Sequence, residues 1–120
     1  MAKFMLILHN RPNAWKNLTP EEMKRKFERY QAWSNGIKAS GRYVSGEKLG
    51  EEGGKALTLK EGRMTVVDGP YAEAKEVVGG YLVFRAANYE EALELVRNCP
   101  MLDDHRIELR QTDPGGCGGE

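Results

Sequence analysis

Two segments of this chain carry paired helix start and stop signals, and each is bracketed by short apolar runs; that order restricts the fold more than any single residue does. Thr19 precedes Pro20 and is followed three residues later by Glu22, the spacing of a capping box with Pro at the first helical position. Met23, Phe27, Tyr30 and Ile37 then keep an approximate three-to-four spacing, and Gly41 after Ser40 supplies a stop. This predicts a helix with one face on a sheet, while Lys24, Arg25, Lys26, Glu28 and Arg29 occupy much of the other face as solvated surface. A second helix opens at Asn88 with Glu91 three residues on. Ala92, Leu95, Val96 and Cys99 form its apolar stripe, and Pro100 closes it.

The runs around these helices read as strands. Phe4 to Leu8 suits a buried strand that leaves the sheet at His9, Asn10, Arg11 and Pro12. Between residues 42 and 67 the pattern breaks into Tyr43-Val44, Ala56 to Leu59 and Met64 to Val67, separated by turns at Gly53-Gly54 and Glu61-Gly62, as in antiparallel hairpins. Tyr81 to Phe84 and the alternating Arg106 to Gln111 complete the set. Strand, helix, strands, strand, helix, strand is the order of a ferredoxin-like α+β sandwich, βαββαβ, with an added β-hairpin, expected over residues 1–112. One layer of helices covers one sheet face. The other face needs cover, which points to association. Residues 113–120 form a Gly-rich tail without core residues and are expected to fray.

At 120 residues the chain has room for one domain with a real core. Its 18 basic residues balance its 18 acidic ones, so no net field favours nucleic acid or an anionic membrane surface. No apolar run approaches a membrane span and Met1 to Leu8 lacks a signal-peptide pattern, so a cytoplasmic location is expected. Cys99 and Cys117 show no paired spacing and come with only two histidines, which argues against a disulfide framework or a zinc site. Cys99 reads as a small buried apolar residue. P-loop, GxGxxG, HExxH and GxSxG motifs are all missing, so neither a cofactor nor a metal is expected.

The most informative run is Val66-Val67-Asp68-Gly69-Pro70-Tyr71-Ala72-Glu73-Ala74-Lys75-Glu76, continuing through Val77-Val78-Gly79-Gly80-Tyr81. Physically it is a strand that stops in a turn: Asp bonds its own backbone, Gly tolerates positive φ and Pro fixes the exit direction. It also resembles the signature of the YCII-related, or DGPF, family, with Tyr71 where that family usually has Phe. An opening strand, a helix ending in Ala39-Ser40-Gly41, Cys99-Pro100 and a closing Ile107-Glu108-Leu109-Arg110 follow in family order. The resemblance implies that two sheets pack together as a dimeric α+β barrel, and hence a homodimer. It further implies an acidic residue with a histidine in a cleft, and an association of some members with extracytoplasmic-function sigma factors.

Asp68 is the candidate acidic member: a carboxylate at a strand end beside a Gly-Pro turn can be partly desolvated and act as general acid or base, or can simply cap its turn. His9, at the end of the first strand, is placed ahead of His105, which stands just before the last strand as a surface candidate. Glu73, Lys75 and Glu76 either bind a polar substrate, with Lys75 holding a carboxylate or phosphate, or order their own loop by ion pairing. Arg11 and Arg110 offer cations near strand ends, and Glu108 and Arg110 point to the same side of their strand. Trp33, Tyr71 and Tyr81 could wall a small pocket, with Tyr81 the one retained as a binding residue, or belong to core and interface. Two functions follow. One is a small-molecule enzyme doing cofactor-independent, Asp-centred acid/base chemistry of isomerase, lyase or dehalogenase type on an anionic ligand; the other is a non-catalytic ligand-binding or regulatory dimer tied to a sigma factor.

Overall fold

A computed structural model describes residues 1–11, 14–50, 52–69 and 76–115. Its main sheet has four antiparallel strands in the order β2-β5-β1-β6, built from β1 (Ala2–Asn10), β2 (Tyr43–Lys48), β5 (Val77–Ala86) and β6 (Arg106–Gln111). Helices α1 (Pro20–Ala39) and α2 (Tyr89–Val96) complete a ferredoxin-like βαββαβ unit. Strands β3 (Lys55–Lys60) and β4 (Arg63–Asp68) form the added hairpin, a separate two-stranded sheet inserted between β2 and β5.

The helix signals act as expected. The Thr19 hydroxyl accepts the Glu22 N–H at 3.1 Å while the Glu22 carboxylate accepts the Thr19 N–H at 3.0 Å, so both donors of the capping box are satisfied. Gly41, at φ +78°, turns the chain out of α1. The Asn88 side chain accepts the Glu91 N–H at 2.9 Å. Glu91 itself accepts from the Ala87 N–H at 3.0 Å and from Arg42 at 2.5 Å, tying the start of α2 to the strand entrance after α1. Pro100 does more than stop α2, which ends at Val96: it begins a one-turn 3₁₀ segment, Pro100–Asp103.

Strand alternation sends Phe4 and Leu6 of β1, with Leu82, Phe84 and Ala86 of β5, toward the helices. They meet Ile37 of α1, Ala92 and Val96 of α2, and Cys99 and Met101 beyond α2. Phe4, Phe84 and Leu6 are fully buried, each worth about 1.5–3 kcal/mol relative to exposure. Cys99 is a free, buried thiol, and burial pushes it up from the usual thiol range. Met5, Ile7 and His9 face the opposite side of the sheet, which neither α1 nor α2 covers.

Two strand boundaries also differ from the sequence reading. β1 continues through His9 and Asn10, and β5 begins at Val77, so Gly79 and Gly80 are strand residues and not a spacer. Close approach of neighbouring strands is the reason. Leu8 pairs with Gly80 but His9 pairs with Val78, leaving Gly79 as a bulge. A Cβ at Gly80 would lie 2.9 Å from the Glu47 carbonyl oxygen. Among the described residues no helix is long and apolar enough to cross a membrane.

Candidate functional site

The glycines that let the strands crowd together also leave space. Between α1 and the helix-facing side of the main sheet lies a cavity of about 780 Å³, within the range of small-molecule sites. Phe27, Tyr30, Gln31, Ser34 and Lys38 reach it from one stripe of α1, at spacings of three, one, three and four residues. Leu6, Leu8 and Asn10 reach it from alternate positions of β1. Where side chains would otherwise fill this end of the sheet stand Gly46, Gly79 and Gly80. The segment from Leu49 to Gly54, apart from residue 51, adds another wall.

An aromatic corner closes the cavity at the 3₁₀ segment. Trp15, buried in the turn after β1, stacks obliquely on Phe27 at 5.9 Å and meets the edge of Tyr30 at 6.4 Å. His105 packs 5.7 Å from the Trp15 ring and 5.9 Å from that of Tyr30. Its Nδ1 is 3.1 Å from the Met101 carbonyl oxygen, a contact that requires Nδ1–H to donate. The neutral ring then keeps its lone pair on Nε2. Burial favours that neutral form, holding the imidazole below the usual histidine value of 6.5 despite the Met101 bond and the Asp104 charge.

Asp104, next in the chain, ties this corner to α1. Lys26 donates to Oδ1 at 2.5 Å and the Tyr30 hydroxyl to Oδ2 at 2.5 Å. Burial pushes the Asp104 carboxyl up, but these two hydrogen bonds outweigh it and hold the group below the ordinary 3.8. Burial, then the bond to Asp104, drives the Tyr30 phenol far above its ordinary value, so it stays a donor. The pair fixes the Tyr30 ring against His105.

Among the described residues, the cations that reach the cavity form no ion pair, although Glu47 and Glu52 also line it. Lys38 sits over the Tyr43 ring at 4.9 Å and Lys48 over Phe27 at 5.6 Å. Arg11 lines the same space. The site therefore offers aromatic faces, the cations Arg11, Lys38 and Lys48, the carboxylates Glu47 and Glu52 and one neutral imidazole, a combination suited to a planar polar ligand and to proton transfer.

Of the residues expected from sequence, Arg11 and Tyr81 line the cavity; alternation with Leu82 turns the Tyr81 ring to the other face, beside Ile7. His9 does not line it. It projects from the uncovered face, 15% exposed, and its Nε2 meets Glu108 at 3.1 Å, with Arg110 at 3.8 Å from the same carboxylate. Its acidic partner is thus Glu108 and not Asp68. Asp68 ends β4 in the hairpin sheet, 82% exposed and ion-paired with Lys55. Glu76 is exposed and binds Arg106 at 2.8 and 3.1 Å. Glu73, Lys75 and Tyr71 lie outside the described residues, and Trp33 packs against the core. Sequence reasoning missed Trp15, Lys38, Lys48 and Asp104 and ranked His105 second. The one available signal was Asp103-Asp104-His105 directly before the last strand. Among the described residues, no three His, Cys, Asp or Glu side chains are grouped to hold a metal.

A two-layer sandwich of ferredoxin-like order with a cavity under its first helix places the described residues in the class of small α+β domains. Residues 2–112 match the YCII-related domain, and the chain belongs to that family. No curated protein sequence matches it. Among solved structures it is similar to the 5-chloro-2-hydroxyhydroquinone dehydrochlorinase of Burkholderia phenoliruptrix AC1100, determined in complex with 2,5-dihydroxybenzoquinone. The TM-score is 0.54 and the identity 16%, over 92% of this chain and 93% of that one. At that identity the likeness concerns the fold.

Proposed function

We propose that this protein is a cofactor-independent small-molecule enzyme that binds a planar organic anion in the cavity under α1 and moves a proton with His105, working as a homodimer. The observation that carries the reading is the state of His105. Its Nδ1–H is committed to the Met101 carbonyl and burial keeps the ring neutral, which leaves Nε2 as a base beside a bound ligand. Lys38, Lys48 and Arg11 supply the charge that attracts the anion, and Trp15, Phe27 and Tyr43 supply the flat walls. Removal of a ring or α-proton by Nε2 would serve an isomerisation, or an elimination in which the electron pair expels a leaving group such as chloride. The similar dehydrochlorinase fold, with its quinone ligand, agrees with that class of substrate. Neither the family match nor the similar structure names a sigma factor, and nothing in the site favours the regulatory reading.

The test is calorimetric titration with 2,5-dihydroxybenzoquinone and with small aromatic carboxylates, followed by a turnover screen on chlorinated hydroquinones. Lys38→Met is expected to weaken binding about tenfold. His105→Gln is expected to keep binding and lower turnover at least ~100-fold. Asp68→Asn is expected to change neither. Loss of turnover in Asp68→Asn with His105→Gln unaffected would overturn the reading in favour of the carboxylate.

A further inference from the structure

His105 has a carboxylate as its neighbour in the chain, yet among the described residues the two share no hydrogen bond. Both Asp104 oxygens are engaged from α1 instead: Lys26 donates to Oδ1 and the Tyr30 hydroxyl to Oδ2, each at 2.5 Å. Lys26 and Tyr30 stand four residues apart on one face of α1. The Lys26 and Asp104 side chains are only 26% and 18% exposed, so water screens this pair incompletely. Lys26 is also held from a second side. Its ammonium lies 5.8 Å over the Trp15 ring, the ring that packs 5.7 Å from His105.

A carboxylate close to an imidazole draws a proton onto it, and a cation opposes that. Asp104 and Lys26 act on His105 in these opposite senses. The other charges around the ring have their own engagements. Asp103 meets Arg29 at 3.0 Å, and Arg106, next after the histidine, binds Glu76. The Tyr30 phenol and the Cys99 thiol are both pushed up and stay protonated. Arg11, Lys38 and Lys48 line the same cavity as His105 and are unchanged in every variant below.

We propose that Lys26 is a positioning residue for the His105 base: by closing the Asp104 carboxylate from the side of α1, it withholds that charge from the imidazole. This rests on the reading of His105 as the base and adds how the base is kept free of a proton. Lys26 acts through Asp104 and touches no ligand in this account.

Imidazole titrations by ¹H–¹³C spectroscopy test it on the full chain, with His105→Gln assigning the signals. Lys26→Met keeps the aliphatic stem and removes the charge, and should raise the His105 midpoint by about one pH unit. Lys26→Arg should keep the parent midpoint. Asp104→Asn should lower it, and Lys26→Met/Asp104→Asn should return it toward the parent, because the pair is then removed as a whole. In turnover, the acid limb of kcat/KM should move up with the midpoint in Lys26→Met while the plateau above it stays within about twofold. A His105 midpoint unmoved in Lys26→Met, or moved equally in Lys26→Arg, would overturn the proposal. Midpoints that move as expected, with turnover indifferent to His105→Gln, would sink the reading of His105 as the base and leave the control of its charge by Lys26 standing.

Discussion

Asn10 occupies the space that a side chain at position 79 would need: a Cβ built on Gly79 lies 2.6 Å from the Asn10 Nδ2. The contact follows from the β-bulge, which shifts the register between Leu8 and His9 and brings Asn10 opposite Val77. Asn10 lines the cavity, and its Oδ1 is buried without a hydrogen-bond partner among the described residues. Gly79→Ala therefore requires the Asn10 amide to move and is expected to cost about 1 kcal/mol, the low end for overpacking. In the Asn10→Ala background the same change should cost much less, and a double-mutant cycle by urea unfolding measures the difference. Equal costs in both backgrounds would mean that Asn10 is not the obstruction.

Tyr30 and Asp104 couple α1 to the corner that holds His105. Tyr30→Phe removes the donor to Asp104 Oδ2 while leaving the ring in place, and is expected to destabilise by about 1.5–3 kcal/mol, the range for a hydrogen bond to a charged group. Asp104 is held below its unfolded value, so its contribution is present above pH 3.8 and is lost as pH falls through its lower folded value. Urea midpoints for the Phe variant and the parent should thus differ at neutral pH and converge in acid. A gap that persists undiminished in acid would contradict the coupling.

His105 has the opposite chemistry and the same direction of pH dependence. Its folded value is depressed, so the unfolded chain binds more protons as pH falls through 6.5, and stability declines from there toward the depressed folded value. His105→Gln should flatten that part of the profile. Thermal midpoints from pH 7.5 down to 5 check this, and an unchanged slope in the variant would show that His105 is not held neutral.

Thr19→Ala removes the hydroxyl that accepts the Glu22 N–H and one arm of the capping box. The cost should be about 1 kcal/mol. Thr19→Ser should restore most of it, since only the oxygen is used. Thermal denaturation of the three proteins decides; no loss in the Ala variant would mean that α1 does not depend on its cap.

Much of the fold was legible because its signals are local. Thr19-Pro20-Glu22, Gly41 and Asn88 act within a few residues of themselves, and the strand runs alternate as pairing requires. The site was less legible because its parts meet through non-local pairing. Nothing near Gly79 in sequence says that Asn10 fills its space, and nothing near Lys38 or Lys48 says that each will rest on an aromatic ring of another element. The histidines were ranked by position: His9 ends an apolar run and looked poised at a cleft. β1 runs two residues further, to Asn10, and its alternation sends His9 to the uncovered face and Asn10 to the cavity. His105 was placed as a surface candidate because it stands just before the last strand, yet Asp104 is itself drawn inward by Lys26 and Tyr30 and carries the histidine with it.

The chain has only two histidines, His9 and His105, so the imidazole signals of a single ¹H–¹³C spectrum separate the two candidate bases. Titration of the protein with 2,5-dihydroxybenzoquinone, recorded across pH, is the most direct measurement of the central claim. The account predicts one imidazole that titrates below 6.5 and shifts on ligand addition, and that disappears in His105→Gln. A ligand-dependent shift of the His9 signal with His105 unmoved would contradict it and move the site to the other face of the sheet.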